Sequence, residues 1–279
     1  MTEEITGLPH KYLRHDKIFP HIWCPGCGIG IVLGSLIRAI DRSDLKQNDI
    51  VLVSGIGCSG RMSVYADFNT LHTTHGRALT FATGIKLAKP SLNVIVIMGD
   101  GDATAIGGNH FIHAARRNMD VTALIINNQI YGMTGGQQSP TTPYGSMTTT
   151  SPYGHVENAF SISELAMVAG ASFVGRGTVF HVQFLDKLIE KALLKKGFSV
   201  VEVLSNCHVQ FGRRNNMGSP VKMMKWFQEH AVTLEKARQM KDEELEDKVS
   251  IGVFTDSDKP SFLEKYHPVR ERAKASLKK

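Results

Sequence analysis

The chain has 279 residues, a formal net charge of +6, 42% hydrophobic and 21% charged residues, the profile of a globular protein with room for one large domain and extensions. No window approaches the roughly 18 uninterrupted apolar residues of a membrane span, and the first segment, MTEEITGLPHKYLRHDKIFP, has no apolar signal core, so a membrane anchor and export are not expected and a cytoplasmic setting is. The basic residues are scattered, apart from Lys195-Lys196, Arg213-Arg214 and the C-terminal tail, which argues against a nucleic-acid face and suits an acidic protein partner.

Residues 1–20, polar and containing Pro9 and Pro20, are expected as an extended N-terminal arm. A Cys24-Pro25-Gly26-Cys27 turn follows, and apolar spacing from Gly28 to Ile40 predicts a helix. Ile50 to Val53 reads as a strand ending in a glycine-rich loop, Ser54 to Arg61, and residues 62–75 as irregular. A helix over Ala78–Leu87 stops at Pro90. Val94 to Met98 and Val121 to Ile126 read as strands with a helix between them.

Gln129 to Val156 is a long Gly-, Thr-, Ser- and Pro-rich loop, of a length usually tied to function or disorder. Ser161 and Glu164 have capping-box spacing at the start of a helix to about Ala169. Ser172–Val174 is a short strand, Phe184–Lys195 a helix and Phe198–Leu204 a strand. Val221 to Met240 is helix-compatible with a weak point at Thr233. Alternating helices and strands predict an α/β fold, a parallel twisted sheet with helices on both faces. The expected division is an arm at 1–20, an α/β domain at 21–210 and a helical, subunit-interface extension at 211–279.

The chemistry gathers in Val94 to Thr134. One strand breaks into Gly99-Asp100-Gly101-Asp102, and the next ends in Asn127-Asn128. In a parallel βαβ unit both ends reach the same sheet edge, where open α/β sheets bind ligands. A carboxylate from Asp100, an amide oxygen from Asn128 and the main-chain carbonyl of Ile130 would suit the hard, oxygen-seeking Mg²⁺ of a diphosphate. Gly-Asp-Gly alone is an ordinary turn; its pairing with the Asn dipeptide makes the metal reading the stronger.

The chain has four cysteines: Cys24, Cys27, Cys58 and Cys207, all at loop positions. Four thiolates can hold Zn²⁺ or a [4Fe–4S] cluster, and spacing does not separate the two. A Cys-x-x-Cys dithiol would leave Cys58 and Cys207 unexplained, and burial as inert thiols suits Cys207 best.

Taken together, CPGCG, IGCSGR, HGRALTFATGIKLA, GDGD, IGGNH, NNQIYGMTGGQQSPTTP and a late Cys after VEV resemble the β subunit of the 2-oxoacid:ferredoxin oxidoreductases, over about Ile22 to Cys207. The resemblance implies a thiamine diphosphate fold, with Mg²⁺ on Asp100, Asn128 and Ile130 and a [4Fe–4S] cluster on Cys24, Cys27, Cys58 and Cys207. Around the thiamine diphosphate it implies Ile56, Gly57, Cys58 and Ser59; His75; Gly99, Asp100, Gly101 and Asp102; and Asn128, Ile130, Tyr131, Gly132, Met133 and Thr134. His75 is a candidate catalytic contact, set against plain packing at a helix start.

The implied reaction is coenzyme A-dependent oxidative decarboxylation of a 2-oxoacid, with electrons leaving through the cluster to ferredoxin. A carboxylate that activates the cofactor's aminopyrimidine is expected from a separate α subunit. Arg61, three residues past Cys58, is a candidate for a second substrate carboxylate, set against a plain surface or subunit-interface arginine; the first reading favours 2-oxoglutarate over pyruvate or a broad 2-oxoacid range. Two other readings compete: a non-redox thiamine diphosphate lyase with structural zinc, and a non-catalytic, metal-stabilised partner-binding subunit.

Overall fold

Uninterrupted apolar runs form the centre of the sheet. In the computed structural model, which describes residues 7–14 and 20–277, the strands are β1 (Ile50–Ser54), β2 (Asn69–His72), β3 (Asn93–Gly99), β4 (Thr122–Asn127), β5 (Ile130–Tyr131), β6 (Gln137–Gln138), β7 (Phe173–Thr178), β8 (Ser199–Leu204), β9 (Ala231–Thr233) and β10 (Val249–Asp256). Eight of them make one sheet in the order β2-β1-β3-β4-β8-β7-β10-β9, and β5 and β6 form a small hairpin of their own. The pairings from β2 across to β7 are all parallel. Both faces of these strands must be covered, and β1, β4 and β8 are buried at every residue.

Helices supply the cover: α1 (Leu8–Tyr12), α2 (Ile29–Arg42), α3 (Met62–Tyr65), α4 (Ala78–Ala88), α5 (Gly108–Arg117), α6 (Ile162–Val168), α7 (Val182–Leu194), α8 (Pro220–His230), α9 (Leu234–Ala237), α10 (Asp242–Leu245) and α11 (Phe262–Ser276). Two apolar cores result, one on each face. One joins α2 and α7 to the sheet through Leu36, Ile40, Leu185 and Ile189; the other joins α4, α5 and α6 through Leu79, Phe111 and Ile162. The chain leaves β1 outward to β2 and returns on its other side as β3. Loops that leave β1 and β3 therefore diverge from a switch in strand order, which opens a crevice at their C-terminal ends.

Four expectations are corrected. Residues 62–75, read as irregular, contain α3 and the edge strand β2, whose polar Asn-Thr-Leu-His lacks an apolar signature. The 211–279 extension, expected as helical, carries β9 and β10, and β10 runs antiparallel to β7 across a bulge. The helix-compatible run Val221–Met240 breaks at β9, which spans the weak Thr233. Ser161 does not cap α6, because its hydroxyl accepts from Arg176 Nη2 at 3.0 Å. Of the expected N-terminal arm, residues 1–6 and 15–19 lie outside the described residues; within it, Leu8–Tyr12 is helical and Leu13 bridges to Ala66. Among the described residues no helix is long and apolar enough to cross a membrane.

Candidate functional site

The loops after β1, β3 and β4 enclose a cavity of about 160 Å³. Ile56, Gly57, Cys58 and Ser59 come from the first loop, Gly99 to Asp102 from the second, and Asn128 with Ile130 to Thr134 from the third. His75 and Ile126 complete the wall. All the residues that the sequence pointed to for the cofactor are thus brought together, and Ile126 joins them as the buried end of an apolar strand. Arg61 is not among these lining residues; it ends the short turn after Cys58, with Nε buried and without a hydrogen-bond partner among the described residues.

Close approach explains the glycines. A Cβ at Gly55 would run into the Asp102 carboxylate, and one at Gly101 into the Tyr131 ring. Gly57, at φ +100°, lets the loop turn where an L side chain would be strained. Beyond Gly101 the chain enters a π-helical turn, Asp102–Ile106, before α5.

Asp100 is 2% exposed, and its Oδ2 accepts from Ser139 Oγ at 2.5 Å and Thr141 Oγ1 at 2.7 Å. Burial drives its pKa up from the ordinary value of 3.8, against the pull of those hydroxyls. The side-chain oxygen of Asn128 is buried in the same wall without a hydrogen-bond partner among the described residues. Asp102 is also buried. Its Oδ1 accepts from the Gly76 N–H at 2.6 Å and lies 2.5 Å from His75 Nδ1, while Oδ2 has no partner among the described residues. Its pKa is raised too, by burial first, with the Gly76 N–H and His75 opposing. His75 is one-third exposed and meets the Tyr131 ring edge-on at 5.9 Å. The Tyr131 hydroxyl donates to the Gly101 carbonyl at 3.0 Å, and burial beside Asp100 and Asp102 pushes its pKa to about 12.

The four cysteines line a second cavity of about 90 Å³. Cys24 and Cys27 share a tight turn, with Gly26 at φ +86° and the Cys27 N–H donating to the Cys24 carbonyl at 2.9 Å. The Trp23 indole donates to the Cys58 carbonyl at 2.7 Å and ties that turn to the β1 loop. Burial raises the Cys27 thiol to about 12 and the Cys58 thiol to about 11, each pushed further by neighbouring thiols. Main-chain N–H groups of Gln210 and Phe211 oppose the rise at Cys207, and that of Ile29 opposes it at Cys27. The two cavities share the residues Cys58, Asn128, Gly132 and Met133.

Several residues of this arrangement escaped the sequence reading. Ser139 and Thr141 sit in the long polar loop, and only the fold brings their hydroxyls to Asp100. Glu202 did leave a signal, a lone carboxylate in the apolar run Phe198–Leu204, but its partner Arg176 lies on the neighbouring strand.

Comparison with known proteins agrees with this geometry. The family described as thiamine pyrophosphate enzyme, C-terminal TPP binding domain, matches residues 55–203. A 2-oxoglutarate synthase subunit KorB of Methanocaldococcus jannaschii is 49% identical over 265 residues, covering 95% of this chain and 98% of the relative. The subunit of the same name from Archaeoglobus fulgidus is 62% identical over 196 residues, 70% of this chain and 73% of the relative. Among solved structures, a 2-oxoglutarate:ferredoxin oxidoreductase from Magnetococcus marinus with 2-oxoglutarate, coenzyme A and succinyl-CoA bound aligns with a TM-score of 0.84 and 29% identity, covering 98% of this chain and 92% of the other. With a thiamine diphosphate-binding domain and relatives of this similarity, the chain belongs to the β subunits of the 2-oxoacid:ferredoxin oxidoreductases.

Proposed function

We propose that this subunit, assembled with an α subunit in the cytoplasm, converts 2-oxoglutarate and coenzyme A to succinyl-CoA and CO₂ and hands two electrons to ferredoxin through a [4Fe–4S] cluster. The relatives named for 2-oxoglutarate support the choice of substrate. The observation that carries the redox part is the shared wall: Cys58 lines both the cofactor cavity and the cysteine cavity. A redox centre held there would lie next to the reacting carbon, whereas zinc has no redox chemistry to offer.

The donor sets fit the groups assigned to them. Asp100, the partnerless amide oxygen of Asn128 and the Ile130 carbonyl would hold Mg²⁺, which prefers oxygen ligands. Cys24, Cys27, Cys58 and Cys207 surround a cavity of their own. Four thiols set around a space can take a [4Fe–4S] cluster, the redox-active one of the two groups a Cys₄ set holds. Gly132 lies at the same wall, where a Cβ would come into van der Waals contact with Cys207 Sγ at 3.4 Å and Cys58 Sγ at 3.8 Å.

When bound, thiamine diphosphate supplies the electron sink for decarboxylation. The protein's own residues do the rest. Asp102 holds His75 by its Nδ1, which leaves Nε2 as the nitrogen to meet ligand. Tyr131 covers Gly101 and the loops exclude water from Asp100. Arg61 is assigned to the distal carboxylate of 2-oxoglutarate, with its Nε, which has no partner among the described residues, in support. The 211–279 extension is assigned to the subunit interface, because α11 buries none of its residues and exposes Tyr266 and Val269.

Anaerobic purification with the α subunit tests the assignment. A brown complex with iron and sulfide each at about four per β chain is expected. Stoichiometric zinc would overturn the redox reading. The ratio of kcat/KM for 2-oxoglutarate to that for pyruvate should fall in Arg61→Ala; an unchanged ratio would remove Arg61 from the substrate site.

A further inference from the structure

Behind the metal ligands assigned above lies a buried ion pair with no counterpart among the cofactor contacts. Arg176 and Glu202 occupy partnered positions on β7 and β8, and Arg176 Nε meets Glu202 Oε2 at 2.8 Å. Glu202 is 1% exposed. The N–H and hydroxyl of Ser163 also donate to Oε2, at 3.1 and 2.6 Å. The other oxygen, Oε1, accepts from Asn127 Nδ2 at 2.8 Å.

An ionised carboxylate can only accept hydrogen bonds. Asn127 must therefore turn its NH₂ toward Glu202 and its Oδ1 away. That oxygen accepts from the Gln129 N–H at 3.2 Å, and the Thr141 hydroxyl reaches it at 3.0 Å. The Gln129 bond closes an Asx turn, with Gln129 at φ 63°. Asn128 is the residue inside that turn. The same Thr141 hydroxyl also touches Asp100 Oδ2. Contacts thus run unbroken from Arg176 through Glu202, Asn127 and Thr141 to Asp100.

We propose that Glu202, clamped by Arg176, is a positioning residue for the metal site: by accepting from Asn127 it fixes the direction of that amide, and so the turn that aims the Asn128 oxygen into the wall beside Asp100. The proposal rests on the reading of Asp100, Asn128 and Ile130 as the magnesium site. Glu202 itself touches none of those three groups.

The test uses the assembled α–β complex with thiamine diphosphate and Mn²⁺ as the probe, free Mn²⁺ being read by electron paramagnetic resonance. Glu202→Gln must keep its one carbonyl oxygen toward the donors of Arg176 and Ser163, so it turns an NH₂ toward Asn127 and forces that amide to reverse. Its Mn²⁺ affinity should fall by about 10–100-fold, the usual effect of losing an outer partner of a metal site. A merely structural role would lower the unfolding temperature and leave Mn²⁺ affinity in place, which would overturn the proposal.

Asn127→Ser, which keeps a hydroxyl for the turn but loses the reach to Glu202, gives the second measurement. In that background Glu202→Gln should add no further loss, and two independent losses that add would overturn the proposal. If the Glu202→Gln complex does not assemble, Asn127→Ala, which loses both the bond to Glu202 and the acceptor for the turn, decides: Mn²⁺ affinity like that of the unaltered complex would overturn the proposal. Two outcomes would instead defeat the metal-site reading itself: no Mn²⁺ binding by the unaltered complex, or full binding by Asp100→Asn.

Discussion

Asp100 and Glu202 are almost equally buried, at 2% and 1% exposure, and only β4 separates their strands. Their surroundings drive them in opposite directions. Burial would push Glu202 up, but the Arg176 guanidinium, with hydrogen bonds from Ser163 and Asn127, outweighs it and holds the carboxyl below its ordinary value. Asp100 has the same burial and only hydroxyls and N–H groups to oppose it, so its pKa rises. An uncompensated buried charge costs several kcal/mol. The fold has completed one acidic centre with its own cation and has left the other, beside the Asn128 oxygen that has no partner among the described residues, without one.

The largest expected effect comes from neutralising the open centre. Asp100→Asn should lower Mn²⁺ affinity in the presence of thiamine diphosphate by more than the roughly 100-fold that bounds the loss of an outer partner. The metal-free protein should be no less stable, since a poorly compensated charge has gone. A metal-free variant that unfolded more readily would break the contrast, because Asp100 would then be as complete as Glu202.

Removing the internal cation should do the reverse. Arg176→Met strands Glu202 and should cost about 3–5 kcal/mol by denaturant unfolding, whereas Arg176→Met with Glu202→Gln, which removes the stranded charge and keeps an acceptor for Ser163, should recover part of that loss. Failure of the pair to recover would mean that the ion pair does more than neutralise charge.

A milder change probes the wall that the two cavities share. Gly132→Ala would place a methyl group against the sulfurs of both Cys207 and Cys58. Iron retained through anaerobic gel filtration should drop. Equal iron in variant and parent would detach Gly132 from the cysteine site.

The smallest effect is the pH dependence of the stripped protein. Asp100 and Asp102 have raised folded-state values, so the native chain holds more protons than the unfolded one above pH 3.8, and stability should fall as pH rises through the raised values. Glu202 runs the other way: its contribution is present above 4.5 and is lost as pH falls through its depressed value. Unfolding temperatures at graded pH should show the upper fall flattened in Asp100→Asn and by saturating magnesium thiamine diphosphate. A fall of unchanged slope in Asp100→Asn would assign it elsewhere.

Legibility in the sequence followed locality. Gly99 to Asp102 and Asn127-Asn128 are each a few residues long and end apolar runs, so their meeting at one edge follows from parallel strands alone. The residues around Cys58 follow for the same reason, as a glycine-rich loop after β1. The edges of the sheet were not legible. β2 is short and polar, and β10 carries Gly252 and a bulge, so neither has the apolar alternation that marks a strand. Pairing across long sequence separations, Val253 with Gly175 for example, is a tertiary contact without a local signature.

By itself the sequence determined the order of strands and helices in the core, the loop positions of four cysteines, and the small polar groups that end β3 and β4, because hydrophobic period and turn chemistry are local properties. Only the tertiary structure decided which charges are completed from within. Ser139 and Thr141 reach Asp100 across a folded loop, and Arg176 meets Glu202 only because β7 and β8 pair in that register. A one-residue slip of β7 would turn Arg176 to the other face of the sheet and leave Glu202 as uncompensated as Asp100.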